Sequence, residues 1–566
     1  MTESWTDERS AAPPNPRRWL ILAVILAGAF MILLATTIVN VAVAPIQRDL
    51  QSTYTAMEWV IAGYALGYGL LLIPAGRIGD RFGHRKLFLI GVAGFTIASA
   101  ASALAATPGQ LIAFQVVQGM MAGILNPPVL ALIQTTFPAK ETGKAYGIYG
   151  AIGGIATASG PLLGGLLIAW DLNGWDWRPV FLLNVPIGLA TFIAALILVP
   201  ESRGRRGGLD VIGMLLVSAA VLLLAVPLVE GQRLGWPAWT FVSMAAALPA
   251  LAVFAVWELR RARRAQVPLV SMRLFSHRSF SAGVGISLCY FAGFIGLLFA
   301  LSLHLQIGLE KSALTTGLIL LPFSFGTLVG AAISDNVARA LGRGVLMLGA
   351  GIVIVGMVGI IATIHWWGSG LELLPALLFA GFGSGLVIAP SVEIVLAGVP
   401  WQDAGAASGV LGTAQRLGQA IGVAVAGVVL FGTLGSYSGT AAEKASPELQ
   451  ASLVAAGLPP AEVSAATTTF ADCFIRQSRA SDPTATPPGC ADSAPGPVGE
   501  AFDSAATSAL ETNFNRAVQW TVGTVLVGVI LTFLLVYLLP RRPEEPWAEA
   551  SKPDWNVTTT QPEPAQ

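Results

Sequence analysis

The chain is short of charge, cysteine and histidine. Of its 566 residues only 11% are charged while 54% are hydrophobic, and no water-soluble domain keeps that balance over such a length. Lys+Arg and Asp+Glu balance at 32 each, so no net charge is available to draw in nucleic acid or an acidic partner. Three cysteines are too few for a disulfide framework, and the four histidines (His84, His277, His304, His365) lack metal-ligand spacing. A phosphate-binding loop is missing as well: Thr142-Gly143-Lys144 is preceded by Pro138 where such a loop needs glycine. No metal or cofactor is expected, and the residues of an enzyme are not there.

What the chain has in quantity is long apolar runs. A membrane helix needs roughly 20 apolar residues to cross about 30 Å of hydrocarbon, and the sequence supplies such runs at 19–40, 59–76, 87–106, 110–133, 146–169, 179–199, 210–229, 239–257, 280–303, 314–334, 345–364, 371–397, 405–432 and 518–539. That makes fourteen spans, an all-α polytopic membrane protein. The segment Met1 to Pro16 is polar, and Arg17 and Arg18 open a run too long for a signal-peptide core, so it reads as a retained first helix. Most of the Lys and Arg residues fall on the side of the N-terminus, in the clusters Arg77, Arg81, Arg85, Lys86, then Arg203, Arg205, Arg206, then Arg260, Arg261, Arg263, Arg264, with Arg541 and Arg542 after the last span. The positive-inside rule then places both termini in the cytoplasm of a cell-membrane protein.

The last outer loop, 433–515, is rich in Ala, Ser, Thr and Pro with little periodicity, and it holds Cys473 and Cys490. An outward loop lies in an oxidising compartment, so those two are expected to form a disulfide. Cys289, in the ninth span, is expected to be packing.

Between the second and third spans runs Gly76-Arg77-Ile78-Gly79-Asp80-Arg81-Phe82-Gly83-His84-Arg85-Lys86. Glycines permit a tight turn, and Asp80 among Arg77, Arg81 and Arg85 suggests a latch that a conformational change could break, with Gly76, Asp80, Arg81, Gly83 and Arg85 as its parts. This run resembles the inner-loop signature of the major facilitator superfamily, and a fainter echo lies at Asp335 to Arg343. Thr37-Ile38-Val39-Asn40-Val41-Ala42 and the run from Trp177-Arg178-Pro179 through Asn184-Val185-Pro186-Ile187-Gly188 resemble the superfamily's fourteen-helix drug/proton antiporters. Gly160-Pro161-Leu162-Leu163-Gly164-Gly165 in helix five is similar to their antiporter motif. Pro161 removes a backbone donor and the glycines admit a close partner helix, giving a bendable, tightly packed segment.

The resemblance implies two six-helix halves, 19–200 and 266–540, an inserted helix pair at 201–265 opened by Asp210 as a helix cap, and tails at 1–18 and 541–566. It also marks two departures. The family's proton-coupling aspartate in helix one is Ala35 here, and the arginine of its helix-four pattern is Gln115, between Leu111 and Gln118-Gly119. Losing both partners of a buried pair is nearly neutral where losing one strands a charge at about 3–5 kcal/mol. The polar residues left at membrane level are Asn40, Gln115, Gln118, Asn126, Gln306, Gln415, Gln419 and one charge, Arg416, about 16 Å above the inner end of helix thirteen. Glu393 in helix twelve, offset by roughly 7 Å, is its expected partner. Glu58 and Trp59, opening helix two, are expected to be solvated interface residues.

The function expected is secondary transport: export of amphipathic small molecules by alternating access, from a monomer in lipid, with protons as coupling ion on the strength of the resemblance alone. A lipid or glycolipid transporter, or an uncoupled facilitator, stays open beside it because of Ala35 and Gln115.

Overall fold

The computed structural model describes residues 16–171, 174–202, 210–231, 234–264, 266, 268–270, 272–364, 370–396, 404–479, 490 and 496–539. Residues 1–15 and 540–566, the latter with Arg541 and Arg542, and Arg203, Arg205, Arg206 and His365 lie outside them, as do the side chains of Thr142, Gly143 and Lys144. Fourteen of the described helices are long and apolar enough to cross a membrane. They are α1 (Arg18–Asp49), α2 (Tyr54–Phe82), α3 (His84–Ala103), α4 (Pro108–Thr136), α5 (Ala139–Trp170), α6 (Pro179–Leu198), α7 (Val211–Glu230), α8 (Ala238–Arg263), α9 (Arg278–Leu303), α10 (Ala313–Leu341), α11 (Gly344–Thr363), α12 (Leu374–Leu396), α13 (Ala404–Ala455) and, after the shorter α14 (Pro460–Arg479), α15 (Pro497–Leu535). No strand occurs among the described residues.

Helices α1 to α6 pack on one another, with α4 central between α2 and α3. Helices α9 to α13 and α15 form a second group, and α7 lies along the seam against both α2 and α13. Small residues set these distances, as expected where lipid gives helices no hydrophobic reason to associate. A Cβ at Gly119 of α4 would run into the Tyr64 carbonyl of α2, and one at Gly330 of α10 into the Phe382 carbonyl of α12. The run from Trp177 to Gly188 has a plain structural job. Trp177 Nε1 and Arg178 Nη1 both donate to Asp49 at the end of α1, at 2.9 and 2.8 Å, and Asn184 Nδ2 donates to Ser99 Oγ of α3 at 3.2 Å. Asp210 caps α7 through Gly213 N at 2.8 Å and pairs with Arg261 at the end of α8 at 3.0 Å.

The expected irregular loop at 433–515 is instead largely helical. The thirteenth span does not stop near residue 432 but runs on to Ala455, and the fourteenth begins at Pro497, well before residue 518. With α14 these extensions make a three-helix cap beyond the membrane. Its core is Ala441, Ala442, Ala445, Leu449 and Leu453 of α13, Phe470 and Phe474 of α14, and Ala501, Ala505 and Ala509 of α15. Alanine is the best helix former, and a stripe of alanines at helical spacing lets three helices meet closely, a pattern that reads in sequence as bland loop composition. Cys473 and Cys490 are joined by a disulfide with their Cα atoms 5.7 Å apart. Closing a segment of sequence separation 17 is worth about 3 kcal/mol in the chain-entropy model. Cys473→Ser is therefore expected to leave the spans intact while making α14 of the purified protein cleavable by protease, and equal cleavage with and without the bridge would refute that.

Candidate functional site

Two faces of the bundle can be told apart: the terminal face, where α1 begins, and the far face, where α1 ends and the cap stands. Between the two helix groups lies a cavity lined by Ala35, Thr36, Tyr64, Gln115, Ile295 and Gln419, among others. The room open to a water's centre is about 10 Å³, enough for roughly one water. In this conformation the cavity is closed to anything much larger than a water.

Contacts that shut it lie toward the far face. Gly160 and Gly164 of α5 press on Thr37 and Ile38 of α1, and on the opposite side of α5 a Cβ at Gly165 would meet the Ala313 carbonyl oxygen of α10 at 2.7 Å. One turn along, a Cβ at Gly317 of α10 would run into the carbonyl oxygen of Pro161. The Gly-Pro-Leu-Leu-Gly-Gly run thus serves as a slab between α1 of its own group and α10 of the other. Ser302 Oγ of α9 donates to the Asn40 carbonyl at 2.5 Å and accepts from Gln306 Nε2 at 2.9 Å, so Asn40 and Gln306 belong to this closure and not to the cavity wall.

Of the polar residues singled out in the sequence, Gln115 and Gln419 line the cavity, and Arg416 Nη1 donates to Gln419 Oε1 at 3.0 Å. The Arg416 guanidinium also lies 4.0 Å from the centre of the Tyr68 ring, a cation–π contact. The side chain is 7% exposed, and no carboxylate pairs with it among the described residues. Glu393, the expected partner, sits on α12 with its side chain outside the described residues; the described neighbours of the guanidinium are Gln419 and Tyr68. Gln118, a turn from Gln115, is buried with both polar side-chain atoms unpartnered. Asn126 lies apart, its Oδ1 3.5 Å from Tyr149 Oη, and Gln415 is half-buried beside Arg416 without lining the cavity.

The turn between α2 and α3 departs from expectation. There is no loop at 76–86: α2 runs to Phe82, α3 starts at His84, and the break is the single residue Gly83 at φ 111°. Asp80 faces His84 Nε2 at 3.4 Å and pairs with none of Arg77, Arg81 or Arg85. The basic side chains go elsewhere: Arg77 Nη2 donates to the Pro268 carbonyl at 3.0 Å, in the stretch joining the two groups, Arg85 Nη2 to the Leu196 carbonyl, and Arg81 stacks on Phe82. Gly83 holds its backbone against the Glu201 carboxylate, which also accepts from Arg85 N at 3.1 Å. Gly76 has no neighbour within 4 Å of a built Cβ, and Gly79 rests on His84.

Two sets of residues escaped the sequence reading. Tyr64 and Tyr68, stacked edge to face with centroids 6.2 Å apart, face the seam; their four-residue spacing on one helix was the available signal. Glu58 is not solvated but 2% exposed, its carboxylate seated over Gly427 of α13, where any side chain would displace it. No local pattern announces that, because the glycine that makes room lies in the other group. Trp59 Nε1 donates to Glu230 Oε1 of α7 at 2.6 Å, tying the inserted pair to α2.

Comparison with known proteins agrees with this architecture. The family model of the Major Facilitator Superfamily matches residues 25–423. A probable actinorhodin transporter of Streptomyces coelicolor is 37% identical over 540 residues, covering 94% of this chain and 93% of that protein. A tetracenomycin C resistance and export protein of Streptomyces glaucescens is 34% identical, covering 77% and 81%, and the multidrug resistance protein Stp of Mycobacterium tuberculosis is 33% identical, covering 77% and 80%. Among solved structures, a bacterial homolog of the human lysosomal transporter Spinster, inward-facing and unoccupied, aligns with a TM-score of 0.57 at 16% identity over 93% of this chain and 98% of that one, a likeness of fold. With two six-helix groups closing on a mainly apolar cavity that carries a few polar groups, and a family model matched along most of its length, the chain is a multi-pass membrane transporter and belongs to the major facilitator superfamily.

Proposed function

We propose that this transporter exports amphipathic small molecules of the antibiotic class by alternating access at the Tyr64, Gln115, Gln419 cavity. The observation that carries the reading is the seam itself. The two groups meet through glycine-faced helices, α5 on α10 and α2 on α13, so they can part and re-form contact without unfolding either group. A shut cavity of one-water size against the roughly 300–1,000 Å³ of a drug-sized site means that parting is how a substrate gains entry. The names of the relatives, exporters and resistance proteins for tetracenomycin C and other drugs, point to the same class.

The far face is assigned to the outside and both termini to the cytoplasm, from the basic clusters on the terminal face. Reporter fusions after Ser436 and after Arg542 are expected to report opposite sides, and a shared side would overturn the orientation. Protein in proteoliposomes is expected to move at least one compound from a panel of antibiotics, dyes and lipids against its gradient when a pH gradient is imposed, and to stop when the gradient is collapsed. Transport that ignores the gradient would make it a facilitator; transport of lipids alone would replace the drug reading.

A further inference from the structure

We infer that the cavity selects organic anions with a planar aromatic body, an inference that rests on the exporter reading and sharpens it. The argument is one of unmatched charge. A cation at membrane depth is costly and is normally met by a carboxylate or by backbone carbonyls. Arg416 is met by an amide oxygen and an aromatic face, both of them neutral. Among the described residues, which leave out the side chain of Glu393, the neighbouring wall adds no negative charge: Ala35 stands at the level where the antiporters carry aspartate, and Thr36, Tyr64, Gln115 and Gln419 complete its polar part. Glu58 and Glu258 are buried elsewhere, the first over Gly427 and the second holding Val270 N at 3.2 Å.

A second observation points the same way. Gln115 Nε2, in the cavity wall, is a buried donor with no acceptor, and an unmet buried donor is a debt in free energy that an incoming oxygen removes. The Arg416 guanidinium, one hydrogen bond behind the Gln419 of the cavity wall, and the Gln115 amide on the facing helix offer a carboxylate or phenolate the charge-assisted bonds it needs on leaving water. The Tyr64 ring in the cavity wall, with Tyr68 edge to face behind it, offers a planar ligand an aromatic surface to pack on. A cationic aromatic would meet Arg416 as a like charge. The cavity therefore favours the reverse of what a cavity built around an aspartate favours.

The test is binding to purified parent protein in nanodiscs, followed by quenching of tryptophan emission, with three probes of one body: anthracene carboxylate, its neutral methyl ester, and the aminomethyl cation. The carboxylate is expected to bind at least about tenfold more tightly than either of the others. Arg416→Gln should level acid and ester while keeping the ester's affinity, and Arg416→Lys should restore most of the preference. An acid no tighter than its ester in the parent, or a preference that survives in Arg416→Gln, overturns the inference. Should Arg416→Gln fail to hold even the ester, the parent series and the lysine variant decide. Short-chain phosphatidylglycerol is the second arm: displacement of bound acid by it at lower concentration than by free acid would assign the anion site to lipid and overturn the aromatic class. Counterflow in proteoliposomes separates the two readings. Acid bound through Arg416 but never transported sinks the exporter reading and leaves the anion preference standing; transport confined to the cation does the opposite.

Discussion

Gly317→Leu is expected to abolish transport while leaving the protein folded and in the membrane. The position has no space for a side chain: its Cβ would occupy the place of the Pro161 carbonyl oxygen, a backbone atom that cannot rotate out of the way. Overpacking of this kind costs up to about 3 kcal/mol, or about a hundredfold in the balance between closed and open far face. Within α10 itself the leucine is harmless, since leucine is a good helix former and the clash is between groups and not inside one. The variant should therefore sit with α5 and α10 parted on the outside, readable as labelling of a cysteine placed at Leu314 by an impermeant external thiol reagent. Gly76→Ala, where a built Cβ meets nothing within 4 Å, is the matched control and should transport normally. A Gly317→Leu protein with parental transport would show that α5 and α10 do not form the outer closure.

Glu58→Gln is expected to cost about tenfold in turnover and to flatten the dependence of transport on external pH, for a reason that lies in charge burial. The carboxylate is enclosed between α2 and Gly427 of α13, and the adjacent Trp59 is bonded to Glu230 of α7. When α2 and α13 part, water reaches it and the charged form is at home; when they close, the charged form loses several kcal/mol of hydration with no cation to replace it. High external pH thus favours the parted state and low external pH favours closure. Glutamine keeps the shape without the charge, so it holds the seam closed at every pH. Initial efflux rates at matched expression, measured across external pH, check this: a parent curve that is already flat, or a variant that keeps the parent's slope, would rule out Glu58 as a pH-sensitive part of the seam.

Much of the architecture was legible because lipid makes simple demands. Fourteen apolar runs became fourteen candidate spans, and the Gly160 to Gly165 run, expected to let a partner approach, touches two helices at once. What the sequence hid was whatever depends on two distant segments. Asp80 looked like the partner of three nearby arginines, yet Arg77 reaches Pro268 and Arg85 reaches Leu196, because long basic side chains seek carbonyls well beyond their own turn. Arg416 and its neighbour Gln419 were both found as polar groups at membrane level, but Tyr68 was not, since a cation–π contact leaves no trace in composition. The cap was misread for the opposite reason. Alanine, serine and threonine at 433–515 say little individually, and only the spacing of Ala441, Ala445, Leu449 and Leu453 betrays the helix.

Helix α13 passes without a break from the seam, where Gly412 and Gly427 touch α2, to Ala455 in the cap. A rod of 52 residues is about 78 Å long, and tilting it by about 10° about its buried end sweeps the tip through about 14 Å. Asn513 Nδ2 bonded to the Leu434 carbonyl and Arg479 to that of Gly435 brace the rod against α15 and α14, so the whole cap turns with it. The cap is in effect a pointer mounted on the far face, magnifying a motion of a few ångströms at the seam into one that a pair of fluorophores, or an antibody that clamps it, could read and arrest from that side of the membrane.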